Sequence, residues 1–467
     1  MWTNSHIVHL PSCERTNREE MEVAQNTWVG AAPQKPSPYL SNRGNLIRDF
    51  TGILREGFLL YHKDKHDEKD NPNGMINLGT SENKLCTDLL SERLTQADMF
   101  HIEPHLLQYA DWKGRNFLRE EVARFLYDYC KAPRPLKADN VVTLNGCTSV
   151  FCCLSAVVCD PEDAVLVPTP FYGMIKKHFI LYNNVKLVYA HLTSEVSAAD
   201  ENPFHLSVEK LEKALQEATQ EGARVKAIIL INPHNPLGDV YTSTEMMQFL
   251  EFAKRHELHA IIDEIYMLSV FDERTTFQSV LSFKKLPDPQ RTHVMWGISK
   301  DFVASGMRVS CLYTENQDVI SAIGELASFH GVPGTTQYQV AQLLRDRDWI
   351  DQVYLKAHRN RLREAHHYVV NELRNLEVPF LHRPAGFFVW ADFRKFLKEE
   401  TFEEEINLWH HFLCEKILIC CGKAFECCEP GWFRIVFSDK LPRLQLGLQR
   451  LRKALQQLEE NHQCIGP

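Results

Sequence analysis

Trp296-Gly297-Ile298-Ser299-Lys300-Asp301-Phe302, with Arg308 eight residues beyond the lysine, is the stretch on which the fold turns. An apolar, strand-like run ends at a lysine, and a short loop and an arginine follow. Such a lysine can form a Schiff base with an aldehyde while the arginine holds a phosphate. Many strands end in Ser-Lys, so the segments upstream decide. Asn232-Pro233-His234-Asn235-Pro236-Leu237-Gly238 closes one apolar run, and Ile262-Asp263-Glu264-Ile265-Tyr266 closes another.

Around these segments, residues 115–330 alternate apolar runs with helical patterns. The predicted strands are Val141–Leu144, Ala164–Val167, Val185–Tyr189, Ala227–Ile231, Ala260–Ile262, His293–Trp296 and Val309–Tyr313. Several are continuously apolar, as strands buried on both faces are. Predicted helices include Val208–Glu221 after the N-cap Ser207, and Thr244–His256 after Thr242, with Glu245 completing a capping box. Strand and helix in repeated alternation give an α/β fold with a mainly parallel sheet. Ligands of such sheets bind beyond the carboxyl ends of the strands. Asn235, Asp263 and Lys300 all fall there, so they can converge.

The flanks differ. Residues 1–45 are polar and aperiodic and read as a flexible arm. Residues 46–114 lack the α/β rhythm and are expected to pack with a smaller α+β domain whose other part is 331–467. That part holds a long helix, Trp349–Leu376, and strand-like runs at Phe387–Asp392, Ile417–Cys420 and Phe433–Phe437.

Composition narrows the partners. The 467 residues carry a net charge of −9, with 44% hydrophobic and 24% charged residues. That is ordinary for a globular protein and argues against nucleic acid or an anionic membrane as a partner. No stretch reads as a signal peptide or a membrane span; Val150–Cys159 reads as a buried helix. The 14 cysteines then point to reduced thiols in the cytoplasm. Cys420-Cys421 and Cys427-Cys428 lack the Cys-x-x-Cys spacing of zinc knuckles, so no metal is expected. Cys147 reads as a small core residue. A Gly-x-Gly-x-x-Gly or Walker segment is absent, which disfavours a generic nucleotide-binding protein.

Taken in order, the Asn235, Asp263 and Lys300 segments look like the pyridoxal-phosphate (PLP) site of the fold-type I, aminotransferase-like enzymes. Such a site needs a protonated pyridine nitrogen, an anchored phosphate and a lysine that carries the cofactor and shuttles protons. Asp263 suits the nitrogen. Its alternative is an ordinary strand-end acidic pair with Glu264, or a metal ligand. Asn235 and Tyr266 can hydrogen-bond the ring oxygen O3′. Asn145-Gly146-Cys147-Thr148-Ser149 opens a helix, whose N-terminus is a ready anion site. Thr148 and Ser149 are phosphate donors there or plain N-caps. Ser299 and Arg308 complete the cradle. Arg434, inside Trp432-Phe433-Arg434-Ile435-Val436-Phe437, is either a clamp for a substrate α-carboxylate or one half of a structural salt bridge. Phe171 or Tyr172 can cover the cofactor face, or both belong to the core. In this scheme Lys300 and Asp263 are catalytic, Lys300 as the base at the α-carbon.

The chain more closely resembles the 1-aminocyclopropane-1-carboxylate (ACC) synthases and, nearest, their animal ACC synthase-like homologues. The resemblance runs from about residue 40 to 455. It adds Leu78-Gly79-Thr80-Ser81-Glu82-Asn83-Lys84-Leu85 and Ser299-Lys300-Asp301 to the motifs above. It implies a PLP-dependent transferase-like fold, an amino-acid substrate, and a homodimer with its active site at the subunit interface. It also implies that Glu82 lines the substrate pocket, and that Tyr109, a substrate-site residue, belongs with Trp112 to a segment presented to the neighbouring subunit's cofactor. Departures accompany it. Trp112 stands where plant ACC synthases carry a tyrosine. Gly297 stands where a phosphate-touching serine is common, and Val303 and Ser310 where glycines are common. Glycines held at positive φ would make Val303 costly. The pattern fits a PLP enzyme of transaminase or lyase type with doubtful ACC synthesis, or an inactive homologue that keeps the cofactor as a structural ligand.

Overall fold

The computed structural model describes residues 35–50, 52–196 and 202–463. The chain divides into two compact units, Met1–Arg55 and Glu56–Pro467. The flexible arm expected over 1–45 lies outside the described residues as far as position 34. In the first unit a helix, Asn42–Asp49, starts where the Ser41 side chain accepts from Gly44 N at 3.0 Å. The Asn45 carboxamide closes the preceding turn by accepting from Ser37 N at 2.8 Å.

The second unit is built on a seven-stranded sheet. With β1 at Ile76–Asn77, its strands are β2 (Val141–Leu144), β3 (Ala164–Thr169), β4 (Lys186–His191), β5 (Val225–Ile231), β6 (His259–Asp263), β7 (Thr292–Gly297) and β8 (Ser310–Thr314). Their order is β2-β8-β7-β6-β5-β3-β4. All neighbours run parallel except β8, which is antiparallel to both β7 and β2. Each predicted strand lies in this sheet, within two residues at either end. The continuous apolar runs are buried along their length, whereas the edge strand β4 is half exposed. The helix Cys147–Val158 lies in the same apolar core as β3 and β5, with Val150, Phe151 and Leu154 buried beside Val165, Val167 and Ile229.

Caps set the helix starts. Ser207 accepts from Lys210 N, and Val208–Gln220 follows. Thr242 and Glu245 form the full capping box before Ser243–Arg255. The long helix predicted over 349–376 is present and contains one π turn. It comprises Arg347–Trp349, one π turn at Ile350–Tyr354, and Leu355–Asn375. Tyr354 is fully buried there, and its hydroxyl donates to the Asp301 carbonyl at 2.7 Å, tying the turn to the residue after Lys300.

A second, antiparallel sheet contains β9 (Phe388–Asp392), β11 (Cys420–Cys421) and β12 (Trp432–Val436), with β12 in the middle. The run predicted as one strand at 417–420 splits at Ile419. Its first half, β10 (Ile417–Leu418), pairs in parallel with β1 instead. This pairing brings the Leu78–Leu85 segment beside Arg434: Leu78 N donates to Leu418 O at 2.8 Å, and Val436 N donates to Leu78 O at 2.8 Å.

Candidate active site at the carboxyl edge of the sheet

Strands β2, β3, β5, β6 and β7 run the same way, so the loops that follow them meet on one edge. Lys300 lies in a short helical turn, Ile298–Asp301, directly after β7. It is half-buried, its Nζ donates to the backbone carbonyl of Ser81, and it lies 6.0 Å from the Tyr266 ring centroid. Burial, and then the positive charge of Arg434, lower its amine to about 8, while Glu82, Cys147 and Asp263 oppose the shift. An amine near that value has a substantial neutral fraction at neutral pH, as a nucleophile or base needs.

Asp263 ends β6 and is 4% exposed. Its Oδ1 accepts from Ile265 N at 3.1 Å. Burial lifts the carboxyl to about 7, against that bond and Lys300. Glu264 does not share its environment: it accepts from Ser279 Oγ at 2.6 Å and from Val280 N at 3.0 Å. Among the described residues no group of His, Cys, Asp and Glu is arranged to hold a metal ion. The two carboxyls of the acidic pair thus have separate hydrogen-bond partners.

Arg434 is 5% exposed on β12. Its Nη1 donates to Asn235 Oδ1 at 2.8 Å and its Nη2 to the Gly79 carbonyl at 2.6 Å. The rings of Phe425 and Phe388 lie 4.7 and 5.2 Å from its guanidinium carbon. Its Nε is buried without a partner. Among the described residues no carboxylate lies within ion-pair distance of it, so the salt-bridge alternative finds no partner there. A buried cation without a counter-charge is costly, and a carboxylate ligand relieves that cost.

The residues expected to hold a phosphate lie around the start of the helix Cys147–Val158. Gly146 has φ +108, and a Cβ there would sit 2.1 Å from Arg308 Nη2, so the arginine lies against the glycine backbone. Gly146 itself is the N-cap of Cys147–Val158 and supplies no capping side chain. Thr148 and Ser149 are thus first-turn residues rather than N-caps. Thr148 is exposed, whereas the buried Ser149 hydroxyl donates to Asn145 Oδ1. Ser299 is half-buried beside Lys300. Arg308 is exposed, in the left-handed region at φ +56, with Nη1 donating to Ser305 O at 3.0 Å. Cys147 is half-buried; burial pushes its thiol up, against the nearby charges of Lys300 and Arg308.

The aromatic pair after β3 divides its duties. Phe171 is fully buried in the core, whereas Tyr172 is half-buried within electrostatic reach of Arg434, Asp263 and Arg308. Tyr266 is 2% exposed and its Oη lies 2.8 Å from Ser81 Oγ. Glu82 is half-buried; its Oε1 accepts from Ser305 Oγ at 3.1 Å and its carbonyl from Ser438 Oγ at 2.8 Å. Tyr109 is not brought to this site within one chain. It is 92% exposed and packs on Trp112 at 5.4 Å between centroids. Sequence reasoning missed Gly79, Ser81, Ser305 and Phe425. The first two lie in the quoted segment 78–85, but nothing in their spacing marks them.

The altered loop resolves residue by residue. Val303 has φ +59, a β-branched residue in the left-handed region, so valine in place of glycine is costly there. Ser310 is ordinary strand in β8, with Oγ donating to the Leu144 carbonyl at 3.2 Å. Gly297 is extended at φ −170 and faces Ser310 across the ladder. A Cβ at Gly297 would lie 2.9 Å from Val309 O and 3.0 Å from Ser310 Cβ, so that position is small for packing reasons.

The family described as Aminotransferase class I and II matches residues 73–447. The 1-aminocyclopropane-1-carboxylate synthase-like protein 1 of Takifugu rubripes is 58% identical over 452 residues, covering 97% of this chain and 72% of that protein. The protein named "Probable inactive 1-aminocyclopropane-1-carboxylate synthase-like protein 2" of Homo sapiens is 53% identical over 465 residues, covering 97% and 81%. Among solved structures, Thermus thermophilus aspartate aminotransferase with maleate superposes with a TM-score of 0.71 at 18% identity, covering 90% of this chain and 100% of that one. The sheet order, the converging loops and these matches together show that the chain belongs to the class I and II aminotransferase family, among the ACC synthase-like proteins.

Proposed function

We propose that this protein binds pyridoxal phosphate at Lys300 and takes amino acids as ligands, with weak catalysis at most. The observation that carries the reading is Arg434: a buried guanidinium, uncompensated by any carboxylate among the described residues, on the same edge as Lys300 and Asp263. The residues fit the cofactor. Asp263 would hold the proton of its pyridine nitrogen, and its elevated carboxyl is stabilised as an anion by a cation there. Asn235 and Tyr266 would serve O3′, and Tyr172 the ring face. Ser299, Thr148, Ser149 and Arg308 would hold the phosphate at the start of Cys147–Val158.

When bound, the cofactor supplies an electron sink for charge developing at the substrate α-carbon. The rest is done by side chains. Arg434 orients the α-carboxylate with Asn235 as its brace. Lys300 moves the proton at the α-carbon, and its lowered amine suits a base working near neutrality. Glu82 lines the side-chain end of the pocket. A second reading, a non-catalytic homologue that keeps the cofactor, is favoured by Val303. Val303 lies in the left-handed region on the loop that carries Ser305, and Ser305 holds Glu82, so strain there bears on the pocket. A relative's name, "probable inactive", supports the same direction.

The reading includes a homodimer. Phe100, Ile102, Leu107, Tyr109, Trp112 and Phe329 are exposed apolar residues that a second copy could cover. Such a copy would bring Tyr109 to its neighbour's site. The described cysteines are free thiols, which supports a reducing, cytoplasmic setting. The experiment is spectroscopic titration: wild-type protein reconstituted with PLP should show a visible band that amino acids perturb. A band indifferent to every amino acid tested would favour the binding-protein reading, and no band would reject both.

A further inference from the structure

Segment Gly79–Glu82 touches the site through several atoms in succession. The Gly79 carbonyl accepts from Arg434, the Ser81 carbonyl from Lys300, and Glu82 Oε1 from Ser305. Ser81 also contributes its side chain, for which the reading above has no use. Ser81 is 7% exposed and Tyr266 2%, and their hydroxyl oxygens are 2.8 Å apart. Buried hydroxyls require partners. Among the described residues, each of these two bonds to the other.

The direction of that bond follows from the inventory of a phenol. It has one hydrogen to give and lone pairs to receive. If Tyr266 donates to the cofactor ring oxygen, its hydrogen is committed there, and the bond to Ser81 must run from Ser81 Oγ into Tyr266 Oη. We propose that Ser81 is a positioning residue for Tyr266: its hydroxyl donates to the phenol oxygen, aims the phenol hydrogen at the cofactor ring oxygen, and strengthens that donation. This rests on the pyridoxal-phosphate reading above.

Two observations favour it. The Ser81 backbone already holds Lys300, so one residue fixes both the amine and the phenol that must meet on the ring. Burial pushes the phenol up, while Arg434 and then the Ser81 bond pull it down, so the two hydroxyls are coupled. Hydrogen bonds in series polarise one another where the dielectric is low. The charged and titratable groups facing Tyr266 are Arg434, Tyr172, Asp263 and Lys300, and none of them changes in the variants below.

The test is a pH titration of the visible absorbance of protein reconstituted with PLP. A weaker donor leaves more negative charge on the ring oxygen, which holds the neighbouring proton more tightly. Ser81→Ala should therefore raise the midpoint, by about half a pH unit, the scale of one neutral hydrogen bond. Ser81→Thr, which keeps the hydroxyl, should retain the wild-type midpoint. In a Tyr266→Phe background, Ser81→Ala should add nothing, because the relay is already cut. Thermal unfolding of each apo variant identifies a folding defect; should Ser81→Ala not fold, Ser81→Cys, a weak donor of similar size, is read the same way. An unchanged midpoint in Ser81→Ala, or an equal shift in the Tyr266→Phe background, overturns the assignment while leaving the cofactor reading intact. A wild-type protein with no visible band overturns the cofactor reading, and this proposal with it.

Discussion

Arg434 Nη1 donates to Asn235 Oδ1 at 2.8 Å, a contact between residues 199 positions apart. It joins the antiparallel sheet of β9, β11 and β12 to the loop after β5, and under the proposed function it would fix where a ligand carboxylate sits. Both residues are buried, so the bond is not weakened by competing water. The arginine keeps an unpartnered Nε and no carboxylate neighbour among the described residues.

Truncating that guanidinium should weaken amino-acid binding selectively. Arg434→Gln removes charge-assisted hydrogen bonds worth ~3 kcal/mol, about 100-fold in affinity. Arg434→Lys should recover only part of this, since an ammonium lacks the planar fork. Spectral titration with amino acids gives the affinity, and cofactor affinity should stay near wild type. Equal loss of both would mean that Arg434 supports the fold rather than the ligand.

Val303 should be a stability liability. It occupies φ +59, where a β-branched side chain is strained by ~1–2 kcal/mol. Val303→Gly relieves that strain and gives back part of it as unfolded-chain entropy, for a net gain of ~1 kcal/mol in urea unfolding. A Val303→Ala control relieves only the branching and should gain less. A destabilised Val303→Gly would show that packing of the half-buried side chain outweighs the backbone term.

ACC formation from S-adenosylmethionine should be weak or absent in the wild type. Misplacing reacting groups by about 1 Å can cost ~100-fold in rate. The strained loop carries Ser305, which holds Glu82. Val303→Gly is therefore the variant expected to raise any ACC production. Ser310→Gly is not, because Ser310 is ordinary strand and its hydroxyl ties β8 to Leu144. Robust wild-type ACC production, measured chromatographically, would contradict this.

Stability should fall as pH rises through neutrality, and Asp301 should be one cause. Asp301 is fully buried behind Lys300; its Oδ2 accepts from Trp296 Nε1 at 2.9 Å and Leu268 N at 3.2 Å, and its Oδ1 has no partner. Burial lifts its carboxyl from 3.8 to about 8. The folded state therefore binds the proton more tightly than the unfolded state. The stabilising contribution is complete below the unfolded value and is lost as pH rises through the folded one. Asp263, Glu264 and Glu405, each lifted to about 7 by burial, add to the same slope. Asp301→Asn keeps the shape without the ionisation, so apo-protein urea midpoints should decline less with pH than in the wild type. An identical decline would remove Asp301 from the account.

The sequence made the sheet legible because its inner strands are buried on both faces and so read as unbroken apolar runs, as at Ala227–Ile231 and His293–Trp296. It made Lys300, Asp263 and Asn235 legible because each closes such a run. Ser81, Ser305 and Gly79 were not legible. They lie in irregular segments, and their contacts are set by the β1–β10 pairing, which leaves no periodic trace. The split of the 417–420 run had the same cause: two short strands joined different sheets. That Val303 is strained while Ser310 is not depends on φ, which residue identity alone does not encode. Whether Arg434 had a carboxylate partner depended on the packing of distant segments, and only the folded chain answers it.

The central claim is that Lys300 carries pyridoxal phosphate, and borohydride reduction tests it most directly. Reconstituted wild-type protein is reduced, digested and mapped by mass spectrometry. The account predicts a pyridoxyl label on the peptide containing Ser299-Lys300-Asp301, abolished in Lys300→Ala together with the visible band. A label on another lysine, or no label on a protein saturated with the cofactor, would contradict it.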